Sequence, residues 1–401
     1  MARSACVYAL AAAIAGFGGS PAWAQAPEWH LFYNQEARYS SWQGTRGYPA
    51  VFSAARGSGT QFYTPATVGI SAALPDVYKF EFVARGGYVV SNQSSPGLSG
   101  SVSTFTDTVA AATWSYLGIP GVQPFVSISA NLPSGTSALH GTDTFARMDP
   151  DLVDVPTFGE GWNIGPTAGI SFAIAANVVL SVGVGHTFRG DYQREIAPGL
   201  PTFVDVTVDP GDVTTGNMSL GMRKGKWVGQ LSGSYSHEGT TSIAGTPAFR
   251  LGDRYLVTGY SSYAWTDNSI SSLIGSWGYT LKNTSLIPPL LPEAFNSNSN
   301  LYRVRFEHAF IAGNWSAGPV VSWLNRDKNA WAPATVLFIP AKTRWSAGGN
   351  VKYKVNDQTL VYANVEHIWI DEAARLSATP TPVPNSSYTG WAVSGGASFR
   401  Y

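Results

Sequence analysis

The last eleven residues, WAVSGGASFRY (391–401), alternate without a break. Strand side chains repeat every second residue, so Trp391, Val393, Gly395, Ala397, Phe399 and Tyr401 share one face. Ala392, Ser394, Gly396, Ser398 and Arg400 share the other. Chain ends usually fray into polar tails. A two-faced strand that holds its pattern to a final aromatic requires a partner along its whole length.

The other end supplies the compartment. MARSACVYALAAAIAGFGGSPAWAQA (1–26) has a basic start at Arg3, an apolar run from Val7 to Phe17, and then Ala22-Trp23-Ala24. This is the pattern of a secretory signal peptide, residues 1–24, cleaved before Gln25. The mature domain is then 25–401. Cys6, the single cysteine, falls in the leader, so the exported chain has neither disulfides nor thiolate metal sites. Basic and acidic residues number 25 each, which leaves no nucleic-acid footprint. Charged residues are only 12% of the chain, aromatics are 13%, and 43 residues are glycine. No apolar run after the leader reaches the roughly 18 residues of a spanning helix. An exported, aromatic-rich, charge-poor chain of this kind predicts the other membrane-spanning solution, a closed barrel whose strands satisfy every backbone group.

Alternation recurs along the chain as that solution requires. In 162–174, Trp162, Ile164, Ala168, Ile170, Phe172 and Ile174 oppose Asn163, Gly165, Thr167, Gly169 and Ser171. In 178–193, Val178, Leu180, Val182, Val184, His186 and Phe188 oppose Ser181, Gly183, Gly185, Thr187 and Arg189. The polar faces are largely Gly, Ser, Thr and Asn, which suits a lumen better than the charged outer face of a soluble sandwich. Short connections at 75–76, 118–122, 175–177, 224–225, 266–267, 312–314 and 356–357 alternate with longer polar loops. Fifteen strands follow from about residue 60, and EWHLFYNQEARYSSW (28–42) is the natural sixteenth. The fold class is thus all-β, a transmembrane antiparallel barrel of sixteen strands. The alternative is fourteen strands with an N-terminal plug.

The terminal strand resembles the C-terminal signal of bacterial outer-membrane barrels, which their insertion machinery reads. Trp391, Val393, Phe399 and Tyr401 are the residues that carry it here. The resemblance implies an outer-membrane location and, as partners, membrane lipid and the barrel-insertion machinery. One loop extends it. LPSGTSALHGTDTFARMDPDLVDVPTFGE (132–160) is the longest connection and the third outer loop in the sixteen-strand count. It resembles the third loop of the general porins, which folds into the lumen and sets carboxylates against wall arginines. PTFGE (156–160) is similar to the Pro-x-Phe-Gly stretch of that loop. The resemblance implies a constriction with Asp143, Asp149, Asp151, Asp154 and Glu160 as its acidic side. Arg85, Arg189, Arg254, Arg303, Arg305 and Arg344 are then its pore-lining basic side. NLPSG (131–135) and FGEGWNIGP (158–166) are similar, more weakly, to outer-membrane transporters of fatty acids and aromatic hydrocarbons, which have fourteen strands and a plug.

Motifs of catalysis are missing: there is no HExxH, GxSxG, Walker loop or dinucleotide fingerprint. The chain therefore reads as a non-enzyme with no cofactor and no metal site. His186, His308 and His367 fall on outward faces, as polar tips among aromatics at head-group level. The expected function is a channel for passive diffusion of small hydrophilic solutes, with a homotrimer as an open option. The alternatives are a transporter of hydrophobic or aromatic molecules and a closed structural or adhesive barrel.

Overall fold

A computed structural model of the chain describes residues 28–48, 53–74, 77–199, 202–286, 298–333, 338–374 and 385–401. The predicted leader and the turn at 75–76 lie outside them. In chain order the strands are β1 (Glu28–Tyr48), β2 (Ser53–Leu74), β3 (Tyr78–Ser95), β4 (Leu98–Phe105), β5 (Thr108–Tyr116), β6 (Val122–Leu132), β7 (Asn163–Ala175) and β8 (Val178–Arg189). Then come β9 (Tyr192–Gly199), β10 (Thr202–Asp209), β11 (Val213–Lys224), β12 (Trp227–Glu238), β13 (Thr240–Ile243), β14 (Thr246–Arg250) and β15 (Arg254–Thr266). The last are β16 (Ser269–Thr280), β17 (Thr284–Ser285), β18 (Ser299–Ala312), β19 (Trp315–Arg326), β20 (Lys342–Lys354), β21 (Thr359–Glu372) and β22 (Ser386–Arg400).

Sixteen of these strands close an antiparallel barrel: β1, β2, β3, β5, β6, β7, β8, β11, β12, β15, β16 and β18 to β22. Closure is between the first and the last strand, from Phe32 opposite Arg400 to Thr45 opposite Ser387. Tyr401 and Leu31 exchange backbone hydrogen bonds of 2.8 and 2.9 Å at the periplasmic rim. The final aromatic thus leaves no free edge, and edge removal is what makes a barrel stable in lipid. β1 pairs on both sides, with one break against β2 at Glu36 and Ala37, and Arg38 stands opposite Tyr63 and Ser394. Its described residues form a wall strand, not the plug of the fourteen-strand alternative.

Local chemistry fixes the short turns. β11 and β12, like β18 and β19, are joined by two residues led by a glycine, Gly225 at φ +55° and Gly313 at φ +58°. A positive φ at the first turn position matches the right-handed twist of the strands and favours glycine. The long connections carry their own structure. β4 doubles back on β3, while β9, β10, β13, β14 and β17 form a separate five-stranded sheet on the outer side.

The lipid face is apolar between two aromatic girdles. Trp114, Tyr263, Trp265, Phe310 and Trp315 are exposed near the periplasmic turns. Trp162, Phe188, Tyr255, Trp277 and Trp345 are exposed toward the outer ends. Aromatic rings suit these boundaries because one end is apolar and the other can reach water. An outward apolar band between two such girdles is the pattern of a transmembrane β-barrel. The three outward histidines each lie against a ring: His186 on Phe188, His308 on Phe310, and His367 between Trp369 and Trp391 at 4.4 and 4.7 Å.

Candidate functional site: the third outer loop and the lumen wall

The connection between β6 and β7, residues 133–162, is the third outer loop, and it turns into the barrel. A short 3-10 turn, Gly141–Ala146, sits on β4, where Gly100 leaves room. A Cβ at Gly100 would lie 2.4 Å from the Thr142 carbonyl oxygen. Asp107 ties both ends of the loop together. Its carboxylate accepts from Asn131 Nδ2 at 2.8 Å, the Gly135 N–H at 2.9 Å and the Glu160 N–H at 2.8 Å.

The loop is held by apolar contacts as well as charge. Met148, Leu152 and Val153 pack with Trp42, Ile368, Ile370 and Tyr388 from the inner faces of β1, β21 and β22. Leu139, Val155 and Phe158 pack with Tyr63 and Val89 of β2 and β3. Each such side chain contributes on the order of 1.5–3 kcal/mol when fully buried. Gln61, only 2% exposed, reads the loop backbone: its Nε2 donates to the Val155 carbonyl at 2.8 Å and its Oε1 accepts from the Val155 N–H at 3.0 Å.

The acidic run meets the basic wall. Asp151, 4% exposed in its side chain, lies 3.2 Å from Arg326 Nη1, 3.5 Å from Arg303 Nη2 and 3.6 Å from Lys342 Nζ. Its carbonyl oxygen accepts from Arg344 Nη1 at 2.8 Å. Lys342, 1% exposed, also bonds Asp149 and lies 3.7 Å from Glu372. Asp154 faces Arg38 of β1 at 3.3 Å. Arg305 does not reach the loop. It pairs with Glu307 at 2.6 Å and with Glu366 at 2.8 Å. Burial of such charges is tolerable only because each finds an opposite partner.

The remaining residues singled out in the sequence go elsewhere. Arg189 and Arg254 both bond Glu238 of β12, at 3.0 Å each, at the outer rim. Asp143 lies in the 3-10 turn, and Glu160 approaches Thr157 at 3.5 Å. Arg85 is on the inner face of β3 and has no ion pair among the described residues. At the outer ends of β2, β3 and β4, a polar cleft of about 400 Å³ is lined by Thr60, Asn92, Ser94, Ser101, Thr142 and Asp143. Among the described residues no cluster of His, Cys, Asp or Glu could hold a metal ion.

A second strut leaves the loop on its outer side. Arg147 bonds Glu195 of β9 at 2.6 Å, and the Leu139 N–H donates to the same carboxylate at 3.0 Å. Burial opposes the charge of Glu195, but the Arg147 guanidinium and the Leu139 N–H hold its carboxyl below the ordinary value.

Sequence reasoning missed Asp107, Gln61, Arg38, Glu195, Arg326 and Lys342. A signal for the wall residues was available. Trp42 and the run HIWI (367–370) place apolar side chains on an inner face, which is what a strand covered on both sides requires.

No protein-family model and no curated protein matches the chain. Solved structures of outer-membrane proteins share its architecture. "OmpT (in-vitro folded), an outer membrane protein Vibrio cholerae (trimer form)" is 11% identical and matches 94% of this chain and 100% of its own, with a TM-score of 0.44. Acinetobacter baumannii OccAB1 is 10% identical over 93% of this chain and 96% of its own, with a TM-score of 0.46. Pseudomonas aeruginosa OpdQ is 8% identical over 93% and 98%, with a TM-score of 0.44. The chain is a closed sixteen-stranded antiparallel β-barrel by its own strand pairing, and outer-membrane proteins are among the solved structures it matches at low similarity.

Proposed function

We propose that this barrel is a channel for passive diffusion of small hydrophilic solutes, with the third loop as its constriction. One observation carries the reading. The loop is fixed against the inner faces of β1 to β3 and β18 to β22, and among the described residues its partners leave the inner faces of the remaining wall strands uncovered below their rims. A loop pinned to one side narrows a lumen without filling it. The apolar inner residues that a carrier of hydrophobic molecules would offer, such as Trp42 and Ile368, are occupied by the loop itself. Selectivity in such a pore follows from its radius and its lining charges.

Planar-bilayer recording of the refolded protein tests this. Stable, ohmic single-channel steps are expected, and a refolded barrel that never conducts would overturn the reading in favour of a closed structural barrel. Assembly as a homotrimer belongs to the same proposal and is tested by the mass of the detergent-extracted particle. The terminal residues Trp391, Val393, Phe399 and Tyr401 are proposed to engage the insertion machinery.

A further inference from the structure

Half of the wall has no charge between its rims. Eight successive barrel strands, β5, β6, β7, β8, β11, β12, β15 and β16, form a continuous arc. Their only charged side chains are at strand ends: Arg189, Glu238 and Arg254 at the outer rim, and Arg223 and Lys224 at the periplasmic turn. The three at the outer rim pair through Glu238, which leaves one net positive charge there. The inner face between these ends is mostly hydroxyls, amides and glycine, with Val109, Ala111, Phe125, Leu256, Tyr260 and Ile274 interspersed. Several hydroxyls meet across strands, Ser171 with Ser181 at 2.8 Å, Thr113 with Ser127 at 3.1 Å and Ser272 with Ser262 at 3.2 Å. The opposite half carries most of the lumen's charge, and there the acidic loop and wall carboxylates tie up Arg38, Arg303, Arg305, Arg326 and Lys342.

Resting on the channel reading above, we infer that the passage runs along this arc and that its solutes are uncharged polyhydroxylated molecules of sugar or polyol type. A hydroxyl both donates and accepts, so a polyol leaving bulk water finds donors and acceptors along the wall that replace its water contacts. An ion in the same passage gives up part of its hydration beside low-dielectric walls, and no fixed counter-charge on the arc replaces it. Arg85, on the inner face of β3 at the edge of the arc, has no ion pair among the described residues. It makes anions the less disfavoured sign.

Swelling of proteoliposomes in isotonic glucose, gluconate and glucosamine at pH 6, where the ammonium and the carboxylate are both charged, tests this with three probes of nearly one size. Glucose is expected to enter roughly ten-fold faster than glucosamine, a factor equal to 1.4 kcal/mol, with gluconate between them. Asn217 of β11 stands opposite Gly183 on the arc, so Asn217→Asp adds one negative charge at mid-height without adding bulk. In that variant glucosamine should approach the glucose rate, and the reversal potential in a salt gradient should move toward cations. Gluconate or glucosamine matching glucose in the parent protein overturns the inference, as does an Asn217→Asp barrel with unchanged selectivity, because the passage then lies elsewhere. Absence of both swelling and conductance overturns the channel reading itself, a result distinct from these.

Discussion

Asp151 is the point at which charge fixes the third loop, and the loop reports its own release. Between 133 and 162 the only Lys or Arg is Arg147. Trypsin can therefore cut this loop at one bond, Arg147–Met148. In the folded barrel that bond is shielded, because Arg147 is held by Glu195 and Met148 is 4% exposed. Asp151→Asn keeps the side-chain shape but removes the charge that Arg303, Arg326 and Lys342 surround. Breaking a buried ion pair from one side costs about 3–5 kcal/mol. The lower end applies here, since Lys342 keeps Asp149 and Arg303 is partly exposed. A cost of about 3 kcal/mol raises the open population roughly 10²-fold. Cleavage follows that population when opening is fast relative to cutting. The assay is the appearance of the two fragments on boiling after timed digestion of the folded protein. A cleavage rate within about three-fold of the parent would put the contribution of Asp151 below about 0.7 kcal/mol. The apolar contacts of Met148, Leu152 and Val153 would then hold the loop alone.

The remaining expectations concern the barrel and its outer struts. Arg in place of Val182, on the lipid face, should cost roughly 2–4 kcal/mol in denaturant unfolding from lipid, and Arg in place of the inward Gly183 should cost less; equal costs would invert the assigned faces. Deleting Phe399–Tyr401 removes the bonds between Tyr401 and Leu31 and the stacking of Phe399 on Tyr33. Heat-modifiable barrel should then disappear from outer-membrane fractions, and a normal yield would contradict the closure argument. The Glu195 carboxyl is held below its ordinary value of 4.5 in the folded protein, so its contribution is complete above that value and is lost as pH falls through the lower folded value. Open-channel noise should accordingly rise on acidification, and Glu195→Gln should be noisy at neutral pH. If Glu195→Gln is quiet at neutral pH and keeps the full acid response, other carboxylates are responsible.

How much of this was legible follows from which contacts are local. The barrel was legible because alternation is a property of consecutive residues. Ile164 to Phe172 and Val178 to Phe188 declare their faces without reference to the rest of the chain. The sixteenth strand was harder to read, since β1 alternates raggedly. Its inner face carries a charge pair, Glu36 with Arg38 at 2.5 Å, and then the apolar Trp42, because the strand is wet in its lower part and covered by the loop above. That change of neighbour along one strand breaks the period. The acids of the third loop stood out as a run, but their partners could not be assigned, because Asp151 reaches Arg326 across 175 positions of sequence and Lys342 across more. Arg189 and Arg254 show the opposite failure. They lie on inward faces as the period dictates, yet Glu238, 49 positions from Arg189 and 16 from Arg254, takes both.

The position of the loop follows from the same distribution of residues. An acidic loop is attracted to any basic wall, and charge alone would allow it to settle against Arg189 and Arg254 as well as against Arg303 and Lys342. Its apolar residues make the choice. Leu139, Met148, Leu152, Val153, Val155 and Phe158 have inner apolar counterparts on β1 to β3 and on β21 and β22, and the hydroxyl arc would leave them wet. Six such side chains, each worth about 1.5–3 kcal/mol when buried, outweigh the difference between one set of ion pairs and another, because the Coulomb gain of a buried pair is largely offset by the desolvation of its charges. Apolar matching therefore selects the side of the barrel, and the ion pairs of Asp149, Asp151 and Asp154 fix the register on it. Substituting Leu152 and Val153 by Ser should loosen the loop more than neutralising Asp154, whose side chain is 45% exposed. Trypsin cleavage at Arg147 reads that order, and the reverse order would mean that charge selects the side.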